Sequence, residues 1–183
     1  MEPPGITRHR RPFLAPLWVT LLAGLVAIGV VFAGYRAATT TVVVLVPSGE
    51  KEPGTIEDPP ISTEGEQRAQ RLAQMFGGGG GHLDAIYVSR EHRAQQAAAP
   101  LVDLLHLTPV VYNSGDASGT AAAVLRAHGG GAVLVIGSIA ALQQFLKELG
   151  GAQATPPAPD DPDLLYIVSV PSVGRAHVLR LKY

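Results

Sequence analysis

The chain has 183 residues, a formal charge of −1 at pH 7 and no cysteine. That length accommodates one ordinary domain and an accessory segment. The near-neutral balance excludes a nucleic-acid partner, which needs a concentrated excess of Lys and Arg. The missing cysteines exclude a disulfide framework, a thiol nucleophile and a zinc-thiolate centre.

Residues 1–12 form a polar leader in which Arg8, Arg10 and Arg11 precede an uncharged run from Phe13 to Tyr35. At a rise of about 1.5 Å per residue the run reaches about 35 Å, against about 30 Å for a bilayer core, so a transmembrane helix is expected over 13–35. A cleaved signal peptide has a shorter apolar core and a small-residue cleavage site, and Ala33-Gly34-Tyr35-Arg36 is a poor one. The arginines lie on the leader side with only Arg36 close behind the run. This places the amino terminus in the cytoplasm of a bacterial-type inner membrane and the rest of the chain on the periplasmic side. Trp18 and Tyr35 are expected at the two interfaces of the lipid bilayer. Gly29 and Ala33, four apart on one face, have the small-residue spacing that suits packing against another membrane helix. The linker 36–41 spans at most about 20 Å and would hold the domain 42–183 near the membrane.

Within that domain, Val42–Val46 is a continuous apolar run, four of its five residues β-branched, that stops at Pro47-Ser48-Gly49. The pattern is that of a strand buried on both faces, and ligands bind at the carboxyl edge of such strands in open α/β sheets. A Pro/Gly/acidic loop over 52–60 leads to a helix expected from Thr63 to Phe76, capped by Ser62 or Thr63. The five glycines Gly77–Gly81 read as a flexible loop, since a phosphate-cradling loop joins a strand to a helix and this one joins a helix to a strand. A strand at Ala85–Ser89 is followed by helical sequence over Arg90–Leu105, which Pro100 is expected to kink or divide. Further elements are expected at Pro109–Tyr112 (strand), Thr120–His128 (helix), Ala132–Ile136 (strand) and Ile139–Leu149 (helix). After a Pro-rich acidic loop over 152–163, Leu164–Val170 and Arg175–Leu181 flank a hairpin signal. The order predicts a mostly parallel sheet with helices on both faces and a C-terminal hairpin.

Three separated segments resemble the histidine phosphatase (phosphoglycerate mutase-like) superfamily. The first strand of that superfamily runs into Arg-His-Gly-Glu; here the four positions are Pro47, Ser48, Gly49 and Glu50. Asp58-Pro59-Pro60-Ile61-Ser62 with Gly65, Arg68, Ala69 and Leu72 matches the segment after its catalytic loop. Ser89 and Arg93 match its Ser-x-x-x-Arg, with Ala97 where Thr is common. The later strand that ends in Gly-His ends here in Gly137-Ser138. The resemblance implies a phosphate pocket of Pro47, Ser48, Gly49, Glu50, Arg93, Gly137 and Ser138. It also implies a phosphohistidine reaction whose two imidazoles and first arginine are replaced.

Such a pocket works by positioned charge on phosphoryl oxygens, and loss of the nucleophile removes the covalent route. A serine nucleophile at Ser48 would need a base, for which His92 and Glu50 are the candidates. His92 neighbours Arg93 on a helix and should face elsewhere. Arg93 either binds an anion or pairs with a carboxylate such as Glu50. No histidine pair has metal-ligand spacing, so neither a metal nor a cofactor is expected.

The expectation from sequence is therefore a membrane-anchored domain that is not an enzyme and serves as a structural or accessory subunit. Its partner would be an integral membrane protein complex, with respiratory and photosynthetic assemblies as candidates. The alternatives are an anion- or phospho-ligand-binding module that uses the pocket, and a residual membrane-associated phosphatase.

Overall fold

A computed structural model of the chain describes residues 17–37, 39–48, 58–78, 81–150 and 164–183. The chain divides into two compact units, Met1–Ala37 and Ala38–Tyr183.

In the first unit α1 runs over Leu17–Ala37. Leu21, Leu22, Leu25, Val26, Ile28, Val30, Val31 and Phe32 are all exposed, and Gly29 faces open space. The expected membrane span over 13–35 is not shown, and its first residues lie outside the described ones. Among the described residues no helix is long and apolar enough to cross a membrane. Side chains of α1 are described over 19–32 and at Gly34. The side chains of Trp18, Ala33 and Tyr35, like the leader, lie outside the described residues.

In the second unit the elements are β1 (Thr40–Pro47), α2 (Thr63–Gly77), β2 (Ala85–Ser89), α3 (His92–Leu105), β3 (Val110–Tyr112), a 3-10 turn (Ser114–Asp116), α4 (Ala117–Ala127), β4 (Ala132–Gly137), α5 (Ile139–Glu148), β5 (Leu164–Pro171) and β6 (His177–Lys182). They build one six-stranded sheet in the order β3-β2-β4-β1-β5-β6. The pairs β1–β4, β2–β3 and β2–β4 are parallel, while β1–β5 and β5–β6 are antiparallel. The sheet is therefore mixed, and its antiparallel part is the C-terminal hairpin laid beside β1.

The apolar runs are buried on both faces because successive side chains of a strand point to opposite sides. Val43, Leu45, Val133 and Val135 pack with Ala121 and Val124 of α4 and with Leu142 and Phe145 of α5. Their neighbours Val44, Val46, Leu134 and Ile136 pack with Leu72 of α2 and with Ala94, Ala98 and Leu101 of α3. One helix pair thus covers each face, as the run of five apolar residues in β1 requires.

Helix α2 starts where its cap chemistry places it. Ser62 has extended backbone and its Oγ accepts from the Gly65 N–H at 3.2 Å. Replacing Ser62 with alanine leaves that donor without its partner and is expected to destabilise the domain by about 1 kcal/mol in urea unfolding. Gly77 belongs to the last turn of α2 and Gly78 caps it, so the glycine run begins inside the helix. Pro100 sits within α3 and does not divide it: the helix is continuous over His92–Leu105. Proline removes one backbone N–H at that turn, and the packing of Ala97, Ala98 and Leu101 on the sheet holds the helix through it.

Candidate functional site

The carboxyl ends of the parallel strands lie level. Pro47 is paired with Gly137, Val88 is paired with Ile136, and Ser89 is paired with Tyr112. Pro47, Gly137, Ser89 and Tyr112 therefore form one row across β1, β4, β2 and β3, and the segments leaving those strands carry the polar groups.

On the β1 side, Ser48 is 3% exposed, and its N–H donates to Gly137 O at 2.9 Å. This bond extends the β1–β4 ladder by one step and fixes the backbone of the residue after the strand. Arg93, in the first turn of α3, donates through Nε to Ser48 Oγ at 3.0 Å. Two residues 45 apart in sequence are thus joined at the sheet edge. Arg93 is half-buried, and a guanidinium that spends Nε on one hydroxyl keeps other N–H groups of its planar fork for an oxyanion.

On the β2–β3 side the organising group is Glu91, the residue before α3. Ser89 Oγ donates to its Oε2, and Ser114 Oγ donates to its Oε1 at 2.7 Å. The carboxylate therefore ties the end of β2 to the turn after β3. Tyr112 lies beside it, buried, with its hydroxyl donating to Ile136 O at 3.4 Å and its ring edge-on to Phe145 at 5.5 Å. Burial pushes the Tyr112 phenol well above its ordinary value, and the nearby Glu91 carboxylate adds to the shift. An acid whose folded-state value is raised lends stability below the unfolded value, near 10, and that stability is lost as pH rises beyond it. Thermal midpoints are thus expected to fall more steeply above pH 10 in the native protein than in Tyr112→Phe, which has no phenol at that position.

The structure sorts the residues expected from sequence. Ser48, Arg93 and Gly137 come together at the edge, with Pro47 closing β1. Ser138 is used differently, as the N-cap of α5, where its Oγ accepts from the Ala141 N–H at 3.4 Å. Gly49 and Glu50 lie outside the described residues. His92 is exposed and its N–H donates to both carboxylate oxygens of Asp58, at 3.2 and 3.0 Å. This leaves Asp58 capping the start of α3, apart from the Arg93–Ser48 pair. Among the described residues no group of His, Cys, Asp and Glu could hold a metal ion. Sequence reasoning missed Glu91, Ser114 and Tyr112. The available signal was the spacing Ser89-x-Glu91-x-Arg93, which puts a carboxylate and a guanidinium on one strand-to-helix turn.

The profile of the histidine phosphatase superfamily (branch 1) matches residues 48–115. This segment contains Ser48, Ser89, Glu91, Arg93 and Ser114. No curated protein matches the chain in sequence. Among solved structures, the protein histidine phosphatase SixA complexed with tungstate is similar at 21% identity and a TM-score of 0.66, covering 77% of this chain and 96% of that one. A mycobacterial glucosyl-3-phosphoglycerate phosphatase is similar at 11% identity and a TM-score of 0.60, covering 76% and 97%. Phosphoglycerate mutase from Plasmodium falciparum is similar at 14% identity and a TM-score of 0.56, covering 78% and 91%. The second unit has the α/β histidine-phosphatase-like fold.

These likenesses correct the functional expectation drawn from sequence. The similar proteins are named as phosphatases and a mutase, and none as an accessory subunit of a membrane complex. The expectation of a chain that is not an enzyme rested on the exchanged residues Pro47, Ser48 and Ser138. Its physical weakness is that a sheet edge can hold an anion through other groups, and this one keeps Arg93 aimed at Ser48.

Proposed function

We propose that the second unit recognises phosphomonoesters at the carboxyl edge of β1, with Arg93 as the cation and Ser48 as a hydroxyl donor. The observation that carries this reading is the 3.0 Å bond from Arg93 Nε to Ser48 Oγ. It holds the guanidinium over the end of β1, where open α/β sheets bind ligands. The remaining guanidinium N–H groups meet two phosphoryl oxygens, and the Ser48 hydroxyl, accepting from Arg93, turns its own proton toward a third. Titration of the full chain with inorganic phosphate and with tungstate tests the proposal. Saturable binding of both supports it, and no binding of either overturns it.

The phosphatases and the mutase among the similar structures favour a second reading, in which the bound ester is hydrolysed. With serine at 48 and 138, water attacks the phosphoryl group held by Arg93 directly, and the alcohol and inorganic phosphate leave. Release of p-nitrophenol from p-nitrophenyl phosphate, lost in Arg93→Ala, is the expected result.

The place of the chain is proposed to be a membrane, entered through α1 with the amino terminus cytoplasmic. A helix rich in exposed apolar side chains is at home only in apolar surroundings, and Leu21, Leu22, Leu25, Val26, Ile28, Val30, Val31 and Phe32 of α1 are exposed. Retention of the chain in the membrane fraction after alkaline carbonate washing is expected; release into the supernatant would remove this placement.

A further inference from the structure

The edge that carries Arg93 also carries a fixed negative charge. Glu91 and Arg93 sit two residues apart at the start of α3, yet their side chains part: Arg93 goes to Ser48 beyond β1, and Glu91 goes to Ser89 at the end of β2. Strand β4 lies between those two strands, so the anchoring serines stand two strand spacings apart, about 10 Å. The residue at the end of β4 is Gly137, which has no side chain of its own, and the hydroxyl of the buried Tyr112 fills the room over it beside Ser89. A carboxylate in such a place needs a reason, because a site for phosphate is normally lined by cations and neutral donors, and a like charge opposes a dianion. Two hydroxyl donors, Ser89 and Ser114, hold this one in position without neutralising it. Carboxylate oxygens accept more than one hydrogen bond each, so acceptor capacity remains on both.

Resting on the phosphomonoester reading above, we infer that the site selects phosphomonoesters whose alcohol half carries a primary ammonium group. The phosphoryl group lies on Arg93 and Ser48, and the ammonium on Glu91. Lengths agree with this placement. A phosphorus and a nitrogen joined through a two-carbon aminoalkyl ester lie about 5 Å apart, and a hydrogen-bond length of about 3 Å at each end brings the span to about 11 Å. The site is then dipolar and matches a zwitterion, whereas a plain alkyl phosphate leaves Glu91 facing an apolar end.

Isothermal titration of the full chain in detergent micelles with phosphoethanolamine, ethyl phosphate and glycerophosphoethanolamine tests this. Phosphoethanolamine is expected to bind about tenfold tighter than ethyl phosphate, the scale of one charge-assisted hydrogen bond at a half-exposed site. Glycerophosphoethanolamine has the same ammonium on a diester, and is expected to bind more weakly than phosphoethanolamine. If it binds as tightly, the ligand is a diester headgroup and the monoester assignment is overturned. Glu91→Gln removes the charge and keeps the shape, and is expected to bring phosphoethanolamine and ethyl phosphate to equal affinity while ethyl phosphate binds at least as well as before. Equal affinities in the unaltered chain overturn the inference without any variant and leave the phosphomonoester reading standing. Failure of all three ligands together with inorganic phosphate sinks that reading itself.

Discussion

Replacing Arg93 with alanine is expected to weaken phosphate and tungstate binding by about 30- to 100-fold, the largest functional effect of any single substitution in the site. The magnitude follows from the type of contact. A hydrogen bond to a charged group contributes about 1.5–3 kcal/mol, and each 1.4 kcal/mol is a factor of ten. Arg93 is half-buried, so solvent screens it less than an exposed arginine. Its bond to Ser48 also aims it, which limits the entropy lost when the anion arrives. Arg93→Lys keeps the charge but loses the planar fork, and an intermediate affinity is expected. Ser62→Ala serves as the control, because it costs stability at the start of α2 and leaves Arg93 and Ser48 in place. Equal anion affinity in the native chain and Arg93→Ala, measured by the same titration, would show that the guanidinium is structural.

Gly137→Ala is expected to be the most damaging of the small substitutions, costing about 2–3 kcal/mol in urea unfolding and lowering the thermal midpoint by several degrees. A Cβ at position 137 would collide with Tyr112 Oη, and Tyr112 cannot swing away. Its ring is buried edge-on against Phe145, itself inaccessible to solvent. The backbone at 137 cannot yield either, since its carbonyl accepts from Ser48 and its register is set by Pro47. Tyr112→Phe in the same chain removes the colliding oxygen and leaves the ring carbon at 3.3 Å, a tight but tolerable approach. The double variant is therefore expected to be more stable than Gly137→Ala alone, a coupling that a double-mutant cycle measures directly. Simple additivity of the two changes would mean that the glycine serves some purpose other than room for the phenol.

The two expectations concern neighbouring halves of one edge. Gly137 is small because Tyr112 lies over it, and Tyr112 stands next to the carboxylate of Glu91, which holds the turn after β3 through Ser114. Stability and the proposed recognition therefore meet at the ends of β4 and β2. A substitution that shifts Tyr112 is expected to disturb Glu91 and, through the shared start of α3, Arg93.

Much of the domain was legible from local pattern. The run Val42–Val46 announced a strand buried on both faces, Ser62 announced the start of α2, and the two apolar segments around Pro171-Ser172-Val173-Gly174 announced the hairpin. Each signal is complete within a window of a few residues, because side-chain alternation, cap hydrogen bonds and turn geometry are short-range properties of the backbone. Arg93 was singled out differently, through the resemblance of Ser89-x-x-x-Arg93 to the superfamily's motif.

What the sequence by itself determined, then, was the set of strands and helices, with Arg93 marked out only by its likeness to a known motif. The tertiary structure alone decided what surrounds Arg93. It put β4 between β1 and β2, carried His92 out to Asp58, and brought Ser114 across to Glu91. These contacts join residues that are far apart in the chain or lie on different strands. No local pattern encodes them, because their partners meet only once the sheet has closed and loop entropy has been overcome by burial of the core.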